Sequence, residues 1–248
     1  MTRVKAKAPV KARVIDAHAH VGRFGSWAGV AATSEELLRE MDAAGVERAV
    51  VFSPDNALAR AAVLGRPDRF TGYVWPNPHD AGALPLVKRA VREWGFRGIK
   101  LHPLVHAFLP TDEEVIPIVE FARKEQIPVA IHSGHPPFSL PWSIGELAEL
   151  YPDVLLVMLH MGHAHGVYIQ AAINTARKHD NIVLETSGVS MHSKIKEAVE
   201  RVGEGRVVFG SDYPFHAYAV ELGKVEAAGL TEGQRELVLY GNAKKLLL

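Results

Sequence analysis

Six residues carry groups suited to one metal ion: His18 and His20 in IDAHAH, His132 in VAIHSG, His160 in LLVMLHMG, Asp212 in VVFGSDYP, and Lys100 in RGIKLHP. Neutral imidazoles and a carboxylate hold divalent ions such as Zn²⁺, Mn²⁺, Fe²⁺ or Co²⁺. An ion with one open position activates water or polarises a substrate oxygen. Strand side chains alternate between faces, so Asp16, His18 and His20 are expected on one face. His18, His20, His132 and Asp212 fill a one-metal set, for which zinc is the first choice. Asp212 would also take up the proton of a bound water, and His160 would work beside the ion on a substrate oxygen or a proton.

These residues lie 194 positions apart at the extremes, 18 to 212, so an architecture must bring them together. Each ends a short apolar run. Eight such runs occur, at about 13–18, 48–53, 70–75, 96–102, 127–132, 154–160, 181–186 and 206–211. They are almost continuously apolar, as strands buried on both faces must be. Helical patterns separate them. TSEELLREMDAAG has a Thr33/Ser34 cap and ends at Gly45, and DAGALPLVKRAVREWG is similar. TDEEVIPIVEFARKEQ has an acidic start and a basic end, and residues 164–179 and 231–247 also read as helices. Strand–helix alternation predicts parallel βαβ units. Eight units without a linker predict a single-domain (β/α)8 TIM-type barrel over 1–248, with 1–12 as an N-terminal extension. A doubly wound open sheet is the alternative. The barrel gathers strand carboxyl ends on one face, where barrel enzymes keep their active sites. Parity places Ala130 beneath His132, Met158 beneath His160 and Gly210 beneath Asp212.

Composition narrows the function. Lys plus Arg and Asp plus Glu number 28 each, which argues against nucleic acid or an anionic membrane as partner. The absence of cysteine removes disulfides, thiolate ligands and a cysteine nucleophile. The basic N-terminus has no apolar stretch before Val14 and does not read as a secretory signal. No run is long enough for a membrane span. A cytoplasmic enzyme acting on a small molecule is the expectation.

In order and in local wording (DAHAH, GIKLHP, IHSG, LxHxG, GSDYP) the chain resembles the amidohydrolase superfamily. The likeness is to its amidohydrolase-2 branch, which includes relatives of aminocarboxymuconate semialdehyde decarboxylase. It runs from Ile15 to Asn242. It implies a metal-bearing barrel with His18, His20, His132 and Asp212 as ligands and His160 near the reacting atoms. It also implies a homodimer. The branch holds hydrolases of amides, esters and lactones as well as non-oxidative decarboxylases. Some decarboxylases carry an acidic residue at the first position of the HxH. His18 stands there in this chain, which points to hydrolysis first and decarboxylation second. A metal-binding barrel without activity and a metal-dependent deoxyribonuclease rank below both.

Lys100 shares a face with Gly98 and His102. A carbamylated strand-four lysine bridges two metals in binuclear members of the superfamily, but His102 holds the terminal position here. Lys100 is therefore expected one layer deeper, paired with Asp16 or Glu185. Arg23, Trp75, His102 and Ser187 are the candidate substrate contacts, Arg23 for a carboxylate and Ser187 for the substrate or Asp212. Trp27, His106, His135 and Phe215 are further candidates for the pocket wall. His163 and His165 read as loop or cap residues.

Overall fold

A computed structural model describes residues 13–248; the expected extension at 1–12 lies outside the described residues. Eight parallel strands form the core: β1 (Val14–His20), β2 (Val46–Phe52), β3 (Phe70–Val74), β4 (Gly98–Leu101), β5 (Val129–His132), β6 (Leu156–Leu159), β7 (Ile182–Glu185) and β8 (Val207–Val208). Each pairs with its sequence neighbour, which gives a single-domain (β/α)8 barrel. The ring closes just beyond β8. Ala17 N–H donates to the Phe209 carbonyl at 2.9 Å, Asp212 N–H to the His18 carbonyl at 2.7 Å, and His20 N–H to the Tyr213 carbonyl at 2.7 Å.

Two apolar layers follow from the alternation. Val50, Tyr73, Ala130, Val157, Val183 and Val208 line the barrel interior. Val51, Ile99, Ile131, Met158 and Leu184 face the helices. The C-terminal helical tail plugs the interior from below with Tyr240, Ala243 and Leu247. Loops at the opposite end are left to carry the chemistry.

Local signals set most helix boundaries. Helix Ser34–Ala44 starts with a capping box between Thr33 and Glu36 and stops at Gly45, whose φ is 75°. The TDEE segment is not helical: that helix runs Ile116–Glu125. Pro117 fits only a first turn, and Asp112 closes a separate turn by accepting from Leu109 N–H at 2.7 Å. The 231–247 tail is helical but includes a π-type turn at Leu237–Gly241.

Two parity expectations fail, each at an irregularity. The β1–β2 register shifts between Asp16 and Ala19, so Asp16 separates from His18 and His20. Its carboxylate instead accepts from Ser211 N–H at 2.9 Å, Ser211 Oγ–H at 2.5 Å and Tyr218 O–H at 2.6 Å. Met158 does not lie beneath His160 but in the outer layer. Among the described residues, no helix is long and apolar enough to cross a membrane.

Candidate metal centre and active site

The carboxyl ends of β1, β5, β6 and β8 bring His18, His20, His132, His160 and Asp212 together. His18 Nε2 lies 3.0 Å from His20 Nε2 and 3.2 Å from Asp212 Oδ1, and His20 Nε2 is 3.0 Å from the same oxygen. His160 Nε2 is 3.1 Å from His132 Nδ1. Donor atoms of His18, His160 and Asp212 all lie within 4.8 Å of one another, a group able to hold a divalent metal ion. His160 was expected beside the ion; it belongs to this tight group, and His132 contacts it.

Strand ends alone do not aim these side chains. His160 follows β6 in a tight turn with φ of 65°, and Asp212 has φ of 56°. Non-glycine residues occupy that left-handed region at a cost of roughly 1–3 kcal/mol and only where their surroundings hold them. Here the hold comes from behind the histidines, where Glu185 is fully buried at the end of β7. It accepts from His18 Nδ1 at 3.1 Å, His160 N–H at 3.1 Å, Ser187 Oγ–H at 2.8 Å and, closer still, Ser187 N–H. The sequence had suggested Glu185 only as a partner for Lys100. Its signal was an acidic residue closing the apolar run IVLE. Gly210 is required beside it, since a Cβ there would collide with Glu185 Oε1.

This support fixes the tautomers. With Nδ1–H of His18 given to Glu185 and Nδ1–H of His160 given to the Ser187 carbonyl at 3.2 Å, both Nε2 atoms keep free lone pairs. Asp212 Oδ1 is also electron-rich. A proton on His132 Nδ1 can satisfy His160 Nε2, but a single proton on His20 Nε2 is shared between His18 Nε2 and Asp212 Oδ1, two acceptors only 3.2 Å apart. Such a cluster of unprotonated donors fits a cation, and its mix of imidazole and carboxylate fits Zn²⁺ or Mn²⁺.

The weaker candidates divide. His102 stacks between Trp75 (5.4 Å, 8° between planes) and His132 (3.9 Å, 15°), so both candidates stand at the centre. Ser187 does not reach Asp212; its hydroxyl contacts Glu185 and, at 2.9 Å, His160 Nδ1. Arg23 is exposed on a short ribbon, Gly22–Phe24 with Val30–Ala32. It lines a cleft of about 930 Å³ between helices Ser34–Ala44 and Asn56–Gly65, outside the barrel and away from the donors. Lys100 pairs with neither Asp16 nor Glu185, because both are already committed; its ammonium lies 5.2 Å from the Phe52 ring centre and 5.6 Å from that of Trp75. Phe215 packs 5.6 Å from the His20 ring, and His135 Nδ1 is 2.9 Å from His132 Nε2. His165 caps helix Gly166–Lys178, as expected of a cap residue. The Trp27 side chain lies outside the described residues.

Burial governs the electrostatics. It holds His18, His132 and His160 well below the ordinary imidazole range, with neighbouring cations adding to the effect. It pushes Glu185 up to about 8, against the pull of its Ser187 and His160 donors. It also brings Lys100 down to about 7, opposed by the charges of Asp212 and Glu185. The lowered histidines (His18, His20, His102, His106, His132, His135, His160, His163) outnumber the raised carboxyls Asp16, Glu185 and Glu221. Below pH 6.5 the unfolded chain therefore binds more protons than the native one, so native stability falls as pH falls. Each unmatched histidine steepens the slope by up to about 1.4 kcal/mol per pH unit. Thermal unfolding of chelator-treated protein should show Tm dropping steadily from pH 6.5 to 5. A flat profile over that range would contradict the buried neutral cluster.

A TIM-type barrel with a strand-end cluster of histidines and aspartate defines a metal-dependent enzyme class. The amidohydrolase family model (Amidohydro_2) matches residues 15–248, and the chain belongs to that family. It is similar to the gamma-resorcylate decarboxylase of Polaromonas sp. strain JS666, 22% identical over 86% of this chain and 82% of the relative. Among solved structures it is similar to the 5-carboxyvanillate decarboxylase of Sphingomonas paucimobilis, with a TM-score of 0.75 at 18% identity, covering 95% of this chain and 98% of the other. It is also similar to a dihydroxybenzoic acid decarboxylase of Polaromonas sp. JS666 with bound manganese and the inhibitor 2-nitroresorcinol. That match has a TM-score of 0.72 at 17% identity and covers 95% of this chain and 96% of the other. These relatives overturn hydrolysis as the leading expectation. His18 at the first position of the HxH was too small a cue to decide the reaction.

Proposed function

We propose that the chain is a metal-dependent, non-oxidative decarboxylase of a small aromatic acid. Its likeness to a gamma-resorcylate decarboxylase over most of both chains carries this reading. His18, His20 and Asp212 supply the core of the ligand set. The fourth donor comes from the His132–His160 pair, whose other member faces the substrate. Manganese, present in the Polaromonas dihydroxybenzoic acid decarboxylase structure, ranks ahead of the zinc expected from donor types alone. When bound, the ion holds and polarises an acidic oxygen of the substrate.

The chain's own groups do the rest. Phe24, Trp75 and Phe215 surround the His20 ring at 5.1, 5.8 and 5.6 Å and form an apolar wall against which an aryl ring packs. They also keep bulk water from the reacting carbon. Asp212 is the proton carrier: Oδ1 faces His18 and His20, while Oδ2 lies 3.8 Å from His216 Nε2, toward the loop side. A proton taken up from solvent on Asp212 Oδ2, the oxygen turned to the loop side, adds to the ring carbon that bears the carboxylate and leaves Asp212 as the carboxylate. The bond to that carboxylate then breaks, its electron pair returns to the ring, and carbon dioxide departs. Atoms and charge balance without an oxidant.

The deciding experiment loads the purified protein with Mn²⁺ or Zn²⁺ and supplies hydroxybenzoic acids, 2,6-dihydroxybenzoate first. Stoichiometric carbon dioxide and decarboxylated arene are expected. Absence of both across the panel, with metal loading verified, would sink the reading.

A further inference from the structure

Within β4 and just past the end of β3 the inner wall carries donors that the metal centre does not use. Lys100 is 1% exposed. Among the described residues it has no carboxylate within ion-pair distance and makes no hydrogen bond; its neighbours are the Phe52 and Trp75 rings. Asp212 and Glu185 attract it from farther off, but their oxygens face His18 and His20, or serve His160 and Ser187. Trp75 is 7% exposed, held flat against His102, and its Nε1–H is buried without an acceptor. A buried ammonium without a counter-ion and a buried N–H without an acceptor are both costly. Such groups call for an explanation, and a ligand that completes both at once is the one their proximity supports.

We propose that Lys100 and the Trp75 indole N–H form an anion subsite for a second acidic oxygen, carboxylate or phenolate, of an aromatic acid whose first acidic group lies at the metal centre. The inference rests on the decarboxylase reading for the placement of that first group. It narrows the substrate class to arenes bearing two acidic substituents. The rings support an aromatic ligand, since Phe52 and Trp75 flank the ammonium and Trp75 also lies against His20. The charges support it as well. A divalent ion and the Lys100 ammonium repel one another, and a doubly acidic ligand relieves both, whereas a singly acidic one relieves only one. Arg23, the arginine expected to meet a substrate carboxylate, is exposed beside a different cleft and does not compete for this role.

Calorimetric binding to the Mn²⁺-loaded protein tests the subsite without requiring turnover, using benzoate and isophthalate as probes with one and two carboxylates. The wild-type protein should prefer isophthalate by about tenfold or more, the usual scale of one charge-assisted contact. Lys100→Met should abolish most of that preference while leaving benzoate affinity within about twofold, since the removed group meets only the second anion. Trp75→Phe keeps a ring against His102 and removes only the donor, so it should lower the preference part of the way. An unchanged preference in folded Lys100→Met, or equal weakening of both probes, overturns the subsite. Should Lys100→Met fail to fold, Trp75→Phe decides, and an unaltered preference there overturns it too. If no acid releases carbon dioxide while the Lys100-dependent preference persists, the decarboxylase reading fails and the subsite stands.

Discussion

Asp212→Asn should reduce carbon dioxide release by about 10²–10⁴-fold, the range for loss of a positioned proton-transfer group. The substitution keeps the size of the side chain and removes its charge. Two effects combine. An amide cannot carry the proton to the ring carbon, and it is a poorer donor to a divalent ion than a carboxylate. Oδ1 now lies 3.2 Å from His18 Nε2 and 3.0 Å from His20 Nε2, so metal retention should fall with the rate. Initial rates at saturating Mn²⁺, with bound metal measured on the same samples, separate the two contributions. If Asp212→Asn retained more than about a tenth of the wild-type rate with metal bound, Asp212 would not be the proton carrier.

Glu185→Gln is the second large effect, and it acts through other residues. Glu185 accepts from His18, from the His160 amide and from both donors of Ser187. A glutamine turns one of those acceptors into a donor facing a donor. Breaking such a buried network should cost about 2–4 kcal/mol. In a chain of this size that lowers Tm by very roughly 5–15 °C. The free lone pairs on His18 Nε2 and His160 Nε2 depend on the same bonds, so metal affinity should weaken about 10–100-fold. Thermal scans and metal titration of the variant measure both. Unchanged values in both would show that Glu185 does not position the histidines.

Much of this was legible in the chain. Apolar runs ending in His132, His160 and Asp212 became β5, β6 and the segment after β8, because parallel barrel strands are buried on both faces and show it in composition. Thr33, Glu36 and Gly45 bounded their helix through local hydrogen bonds alone. Parity worked where strands stayed regular, as at Ala130 beneath His132 and at Gly98, Lys100 and His102. It failed at Asp16, where the register shifts, and at His160, where a positive-φ turn re-aims the ring. Alternation assumes an unbroken pleat, and functional residues often occupy its breaks.

By itself the sequence determined the barrel and the family and marked out the candidate donor residues, because each rests on patterns within a strand, a helix or a short motif. Only the tertiary structure decided how those donors are arranged. It moved His160 into the tight group with His18 and Asp212, and it revealed Glu185 as the shared support of His18 and His160. It also left Lys100 buried against aromatic rings rather than paired with a carboxylate. The reason is physical: a hydrogen bond between residues 167 positions apart, such as His18 to Glu185, depends on barrel closure and burial, and nothing local to either residue records it.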